Sequence, residues 1–280
     1  MPNIGTSERP ELPLAVVVGA GGMGMAVARR LGQSNRLLIA DRNAAHLEVQ
    51  LAGLKVEGYD AATITCDVAN ANDVQALAAR AKALGPVRVL AHVVGLSPSM
   101  GDFRTIMTVN LTGACRVADA MLPIVAPGAC ALFISSMAGH LRNFGPELEA
   151  VLDAPLESDF LDRVEALLQE PTTSILAYML TKSSLNRMCR RKAKEWGDRG
   201  ARIVSLSPGL IATPMGALEF ERQPAKFDLL AATPIQREGT MLEIANVVEF
   251  LCSEKASFIS GTDILVDGGL TGTLQTASTA

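Results

Sequence analysis

The chain has 280 residues, 49% of them apolar and only 4% aromatic, enough for one large domain with a core of Ala, Val, Leu, Ile and Met. Lysines and arginines total 25 against 29 aspartates and glutamates, a net charge of -4, so there is no electrostatic case for nucleic acid or an anionic membrane as partner. No apolar run approaches the ~18–20 residues of a membrane span, and residues 1–12 lack the basic start and apolar stretch of a signal peptide and read as a flexible tail.

Strand-like and helix-like segments alternate almost to the end. Leu14 to Gly19 is a continuous apolar run, as a strand buried on both faces should be. A helix is expected from Met23 to Gln33, a strand at Arg36–Ala40 and a helix at Asn43–Leu51. Further strands are expected at Thr63–Cys66, Val87–Val94, Ala129–Ser135, Ala201–Ser207 and Asp263–Val266. Helices are expected between them at Asn72–Leu84, Thr108–Val125, Ser174–Trp196 and Met241–Cys252. This alternation predicts one α/β domain: a parallel sheet covered by helices on both faces.

Two segments break the rhythm. Connections in such units usually run about 2–6 residues, so the stretch from Ala138 to Thr173 must have structure of its own. Apolar residues recur there at helical spacing on either side of Pro155, which predicts two short amphipathic helices. Thr213 to Gln236 is the second such segment.

Gly19-Ala-Gly21-Gly22-Met23-Gly24 matches G-x-G-x-x-G, directly after a strand and opening a helix. Glycines there let backbone N–H groups approach a pyrophosphate, and the helix N-terminus adds favourable partial charge. Asp41 ends the second strand, where a carboxylate accepts from ribose hydroxyls and repels a 2′-phosphate. This favours NAD over NADP, although Arg42 is adjacent and suits a phosphate. Tyr178 and Lys182 stand one helical turn apart on one face. A cation beside a phenol favours phenolate and so makes it a usable proton donor and acceptor.

Together these residues resemble the short-chain dehydrogenase/reductase family from about Leu14 to Gly269. The resemblance implies a Rossmann-type doubly wound sheet of seven parallel strands in a single domain. It also implies a catalytic set of Asn110, Ser136, Tyr178 and Lys182. In it the Ser orients the substrate oxygen and the Tyr exchanges the proton. The Lys lowers the Tyr pKa and holds the nicotinamide ribose, and the Asn anchors a relay water. Ser135 should face the other way, as adjacent strand residues do. Cys66-Asp67-Val68 resembles the segment that receives adenine. Gly95 resembles the glycine beside the adenosine. Pro208, Gly209, Ile211 and Thr213 resemble the loop at the nicotinamide carboxamide, and Tyr178 and Lys182 also face the cofactor. Ser260-Gly261 and Val266-Asp-Gly-Gly269 resemble the family's C-terminal signature.

Three features depart from the family pattern. The glycine loop is one residue shorter, with Val18 for the usual Thr. His92-Val-Val-Gly95 replaces N-N-A-G, which leaves His92 as a packed or supporting residue. The segment between Ser136 and Tyr178 is much longer than usual. A similar insertion occurs in bacterial 3α-hydroxysteroid dehydrogenase/carbonyl reductases. Over residues 139–173 it is expected to form a lid on the substrate, the alternative being an assembly element against a neighbouring subunit.

The resemblance implies an NAD-dependent oxidoreductase that interconverts a secondary alcohol and a ketone, on a bulky apolar substrate such as a hydroxysteroid or ketosteroid. It implies a homotetramer or homodimer built on the helices of Thr108 and Tyr178. One rival is a 3-oxoacyl thioester reductase. The stripe of Arg187, Arg190, Arg191 and Lys194 would suit its acidic carrier, or is a solvated face or intersubunit ion-pair surface. The other rival is a non-catalytic NAD-binding regulator. Five cysteines, Cys66, Cys115, Cys130, Cys189 and Cys252, and three histidines, His46, His92 and His140, share no ligand-like spacing. They predict reduced thiols in a cytoplasmic protein and no metal site.

Overall fold

The computed structural model describes residues 12–222 and 225–277. The expected tail therefore lies, apart from Leu12, outside the described residues. The strands are β1 (Leu14–Val18), β2 (Arg36–Asp41), β3 (Ala61–Thr65), β4 (Val87–His92), β5 (Val125–Ile134), β6 (Arg202–Pro208), β7 (Ile211–Ala212), β8 (Gly239–Thr240) and β9 (Thr262–Val266). Seven of them form one parallel sheet in the order β3-β2-β1-β4-β5-β6-β9, and β7 and β8 pair separately. This is the parallel α/β sheet that the alternation predicts, in the doubly wound Rossmann-type form that the resemblance implies. Strand order reverses between β1 and β4, and ligands in such sheets bind at the carboxyl ends of the strands flanking that reversal.

Side chains along β1 alternate between two cores. Leu14, Val16 and Val18 join an apolar cluster on one face, and Ala15 and Val17 one on the other. Helices α1 (Gly22–Leu31), α2 (Ala44–Val56) and α11 (Met241–Cys252) cover the second face. The first is covered by α3 (Ala71–Leu84), α4 (Phe103–Met107), α5 (Ala114–Met121) and the long α8 (Ser174–Gly197). Helix α11 opens on a reciprocal capping box between Thr240 and Glu243. After β6 and β7 come α9 (Pro214–Arg222) and α10 (Ala225–Ala232), and α12 (Leu270–Ala277) ends the described chain.

Several expected boundaries shift for local reasons. The helix expected over Thr108–Val125 starts earlier, at Phe103, because Asp102 accepts from Thr105 N at 2.8 Å as its N-cap. It is then interrupted by a π-helical turn over Thr108–Gly113 and ends in a 3-10 turn at Leu122–Ile124, which contains Pro123. The next strand consequently begins at Val125. Strand β4 stops at His92 because Val93 N and Val94 N both turn to Val18 O, at 2.8 and 3.0 Å.

The insertion does form two helices, α6 (Pro146–Leu152) and α7 (Phe160–Leu167). Their apolar residues Val151, Leu152, Phe160 and Val164 are buried in the cluster that holds Phe103, Leu176 and Leu180. Charged pairs fix the seating. Arg187 bonds Asp153 at 2.6 Å and also meets Glu149, Arg191 meets Asp153, and Arg104 bonds Glu165 and Asp162, each at 2.6 Å. Such partly exposed pairs contribute about 0–1 kcal/mol each, so apolar burial decides the position. The two helices, expected as a lid, are seated on the core instead. The apolar faces of the two helices are spent on α4 and α8, and of residues 139–173 only Leu141, ahead of both helices, lines the cleft described below. Phe160→Ala should lower stability by ~3–5 kcal/mol through the cavity it leaves, while KM for a bulky ketone stays unchanged. Urea unfolding and steady-state kinetics check this, and a KM that rises with unaltered stability would restore the lid.

Candidate active site

The glycine loop follows β1. Gly19 has φ +107°, and a Cβ there would lie 2.9 Å from Val94 N. A Cβ on Gly24 would come within 1.9 Å of Gly19 O, so α1 leaves the turn as closely as a backbone can. Gly22 packs toward Met241, whereas Gly21 has nothing within 4 Å and opens onto the cleft beside Met23. Asp41 is held at the end of β2 by Ala20 N at 2.8 Å and Asn43 N at 3.0 Å. Arg42, exposed, stands beside it on the cleft wall.

Cys66, Asp67 and Val68, at the end of β3, form the far wall. Burial, then the charges of Asp73, Asp67 and Asp41, push the Cys66 thiol up to about 12, so it is neutral and unreactive. Pro208, Gly209, Ile211 and Thr213 form the opposite wall, after β6. A Cβ on Gly209 would sit 2.7 Å from Asp267 Cα, so that loop also needs a glycine. All these residues line one cleft of about 720 Å³. The tight turn, open Gly21, helix N-terminus and carboxylate at β2 fit a nicotinamide dinucleotide.

Ser136, Tyr178, Lys182 and Gly95 line the same cleft. Ser136 caps the turn at Met137–His140, its Oγ accepting from Ala138 N at 3.2 Å. Ser135 also lines the cleft, but its hydroxyl is spent on Lys182 O, to which it donates at 2.9 Å. A Cβ on Gly95 would lie 3.3 Å from Lys182 Nζ and 3.8 Å from Asn110 Oδ1, so three expected residues meet there. Asn110, on the π turn, donates to Leu96 O at 2.9 Å and accepts from Leu96 N at 2.7 Å. It clamps the loop after β4 to the helix.

Electrostatics differ from expectation in one respect. Lys182 Nζ lies 5.5 Å from the Tyr178 ring centroid and donates to Ile134 O at 3.0 Å. Burial brings its ammonium down to about 8. Tyr178 was expected below its ordinary range, but burial pushes the phenol up, Ser136 draws it down and Glu219 pushes it up again. Burial of the phenol outweighs its partners in this state. His92 is a packed residue: it stacks on Phe133 at 5.3 Å, and burial, with Lys182 second, brings it down to about 3.

Sequence reasoning missed four residues. His140 Nε2 meets Asp263 Oδ2 at 2.8 Å and so ties the turn that carries Ser136 to β9. His46 Nε2 meets Ala20 O at 2.9 Å beneath the glycine loop. Glu219 comes from α9 into the cleft. No motif carries any of them, because each acts through a partner distant in sequence. The basic stripe on α8 is largely neutralised: Arg187 and Arg191 pair with the insertion, and Lys194 bonds Asp198 at 2.8 Å.

Comparison with known proteins agrees. The short chain dehydrogenase family profile matches residues 13–146, and that of enoyl-(acyl carrier protein) reductase matches residues 163–271. The chain is 33% identical to short-chain dehydrogenase/reductase bsc3 of Alternaria brassicicola, over 91% of this chain and 94% of that protein. It is 32% identical to galactitol 2-dehydrogenase (L-tagatose-forming) of Cereibacter sphaeroides, over 92% and 94% respectively. A crystal structure of gox2181 superposes with a TM-score of 0.76 at 24% identity, covering 94% of this chain and 97% of that one. A variant of actinorhodin polyketide ketoreductase, solved with NADPH, superposes at 0.74 and 24% identity over 93% and 97%. The sheet order, the glycine loop, both profiles and relatives alike along their whole length place this chain in the short-chain dehydrogenase/reductase family, whose members are oxidoreductases acting on CH–OH groups.

Proposed function

We propose that this enzyme uses NAD to interconvert a secondary alcohol and a ketone on an alicyclic, largely apolar substrate such as a hydroxysteroid or ketosteroid. The observation that carries the reading is the gathering of Ser136, Tyr178 and Lys182 in the cleft that Gly21 opens. The substrate end is walled by Pro98, Met100, Ile175, Met179 and Phe220, which favours an apolar body. The insertion lends no support to this choice, since its apolar side faces α4 and α8. The kinship to 3α-hydroxysteroid dehydrogenase/carbonyl reductases stays a proposal on the same footing, as does a homodimer or homotetramer in the cytoplasm. No helix among the described residues is long and apolar enough to cross a membrane. The pairing of Arg187 and Arg191 removes the main argument for a thioester on an acidic carrier.

A nicotinamide held in this cleft would supply or accept the hydride. The protein's part is position and proton transfer. In oxidation the Tyr178 oxygen takes the hydroxyl proton of the substrate, and Ser136 Oγ donates to the developing carbonyl oxygen. Lys182, cationic at neutral pH, attracts charge toward the phenolate as it forms and holds the ribose. Asn110 keeps the loop after β4 against this group and anchors the relay water.

Two measurements test the reading. Consumption of NADH and NADPH, followed by absorbance, is compared across ketosteroids, simple cyclic ketones and acetoacetyl thioesters. Turnover of the thioesters alone, or of nothing, would overturn it. Asp41→Ala should raise KM for NAD about tenfold or more, as expected for lost hydrogen bonds to a charged group of ~1.5–3 kcal/mol. It should also narrow the preference over NADP. If the unmodified enzyme prefers NADP, Arg42 reads the ribose instead.

A further inference from the structure

One charged side chain in the cleft has no part in the scheme above. Glu219, on α9, is only 2% exposed. Its Oε1 accepts from Ser97 Oγ at 2.7 Å and from Ser99 N at 3.2 Å, so the carboxylate reaches from α9 to the loop after β4. Lys226 Nζ stands 3.5 Å from Oε2. Glu219, Ser97 and Lys226 line the same cleft as Ser136 and Tyr178, near the apolar side chains of Pro98, Met100, Met215 and Phe220 that line it too. Burial alone would push the Glu219 carboxyl up, but hydrogen bonds from Ser99 and Ser97, with Lys226, outweigh it and hold the group below its ordinary range. It is therefore an anion at neutral pH. Its charge is felt at the Tyr178 phenol, which places it within electrostatic reach of the reacting oxygen.

We propose that Glu219 determines substrate specificity: it accepts a hydrogen bond from a hydroxyl or ammonium donor carried away from the reacting carbonyl, and it rejects ketones bearing a carboxylate or phosphate there. This rests on the alcohol–ketone reading above. A carboxylate only 2% exposed is screened less than one in water, so a second anion beside it is disfavoured. A donor gains most at the same place, because a site built to hydrogen-bond a substrate group discriminates against analogues that lack it. Lys226 tempers the charge from the outer side, its side chain being 23% exposed. The substrate class that follows is a hydroxylated alicyclic compound rather than a plain hydrocarbon ketone or a keto acid.

The test is a matched series of one-ring and two-ring alicyclic ketones carrying hydrogen, hydroxyl, ammonium or carboxylate at the far end. The unmodified enzyme is expected to favour hydroxyl over carboxylate by about tenfold or more in kcat/KM. Glu219→Gln keeps an oxygen for Ser97 and Ser99 but removes the charge, and should cut that ratio about tenfold. Lys226→Met should deepen the bias instead. A pH profile supplies a separate readout. Lys182, Ser136 and Glu219 surround the phenol, and loss of the Glu219 charge should move the rise of alcohol oxidation to lower pH. A mere latch between α9 and the loop after β4 would lower kcat/KM for every ketone alike. An unchanged ratio in both variants therefore overturns this proposal while leaving the oxidoreductase reading intact. If the unmodified enzyme turns over none of the series or of the broader panel, the parent reading fails and this one with it.

Discussion

Tyr178→Phe should lower kcat by about 10²–10⁴, the usual contribution of a positioned acid–base group, while the fold and dinucleotide affinity stay close to those of the unmodified enzyme. Only the phenolic oxygen is removed, and the ring keeps its half-buried place on α8, whose neighbours Ala177 and Leu180 are fully buried. The variant should therefore split proton transfer from binding, which a fold defect would not do. Single-turnover rates and a dinucleotide titration check both halves. Retention of more than about a tenth of kcat would remove Tyr178 from the role, since general acid–base loss rarely costs so little. The raised phenol implies that alcohol oxidation, which needs phenolate, gains with rising pH.

Gly24→Ala should be the most damaging single methyl in the cofactor half. Its Cβ would stand 1.9 Å from Gly19 O, a backbone atom that cannot step aside without moving α1 off β1. Overpacking of this kind costs typically ~1–3 kcal/mol and often more where backbone must shift. Dinucleotide binding should be lost with it. Gly21→Ala is the informative contrast. Nothing lies within 4 Å of its Cβ, and its φ of -67° suits alanine, so only a modest change in stability is expected. The new methyl would occupy the space a pyrophosphate needs, and binding should weaken. Melting curves without cofactor and calorimetric titration with NADH distinguish the two. A Gly24→Ala protein that melts like the unmodified one would mean that the loop is looser than its contacts imply.

Much of this molecule was legible before its structure. The strands were found because a run such as Leu14–Val18 is buried on both faces, and composition alone marks that. The cleft residues were legible where chemistry and spacing are both local, as at Gly19–Gly24 and at Tyr178 with Lys182. Helix α11 runs over the expected Met241–Cys252, and its start is fixed by the Thr240–Glu243 capping box. The π turn around Asn110 has no sequence signal, and the expected uninterrupted helix overlooked it. The amphipathic periodicity of α6 and α7 told that one side must be covered, not by what. Glu219 and the His140–Asp263 pair escaped for a related reason. Their meaning depends on which distant loop they meet, and only the folded chain decides that.

The seating of the insertion changes the mechanical status of the catalytic helix. Helix α8 bears on the sheet along one side, and α6 rests against its outer side through Val151, Leu152 and the Arg187 pairs. A helix flanked by solvent can fray or open on its own, at a free energy well below that of global unfolding. Here, opening α8 would also require stripping α6 and α7 from the core. The backbone amides around Tyr178 and Lys182 therefore belong to the most cooperative unit of the molecule rather than to a locally mobile one. The groups that exchange the proton are thus carried by a helix braced from both sides.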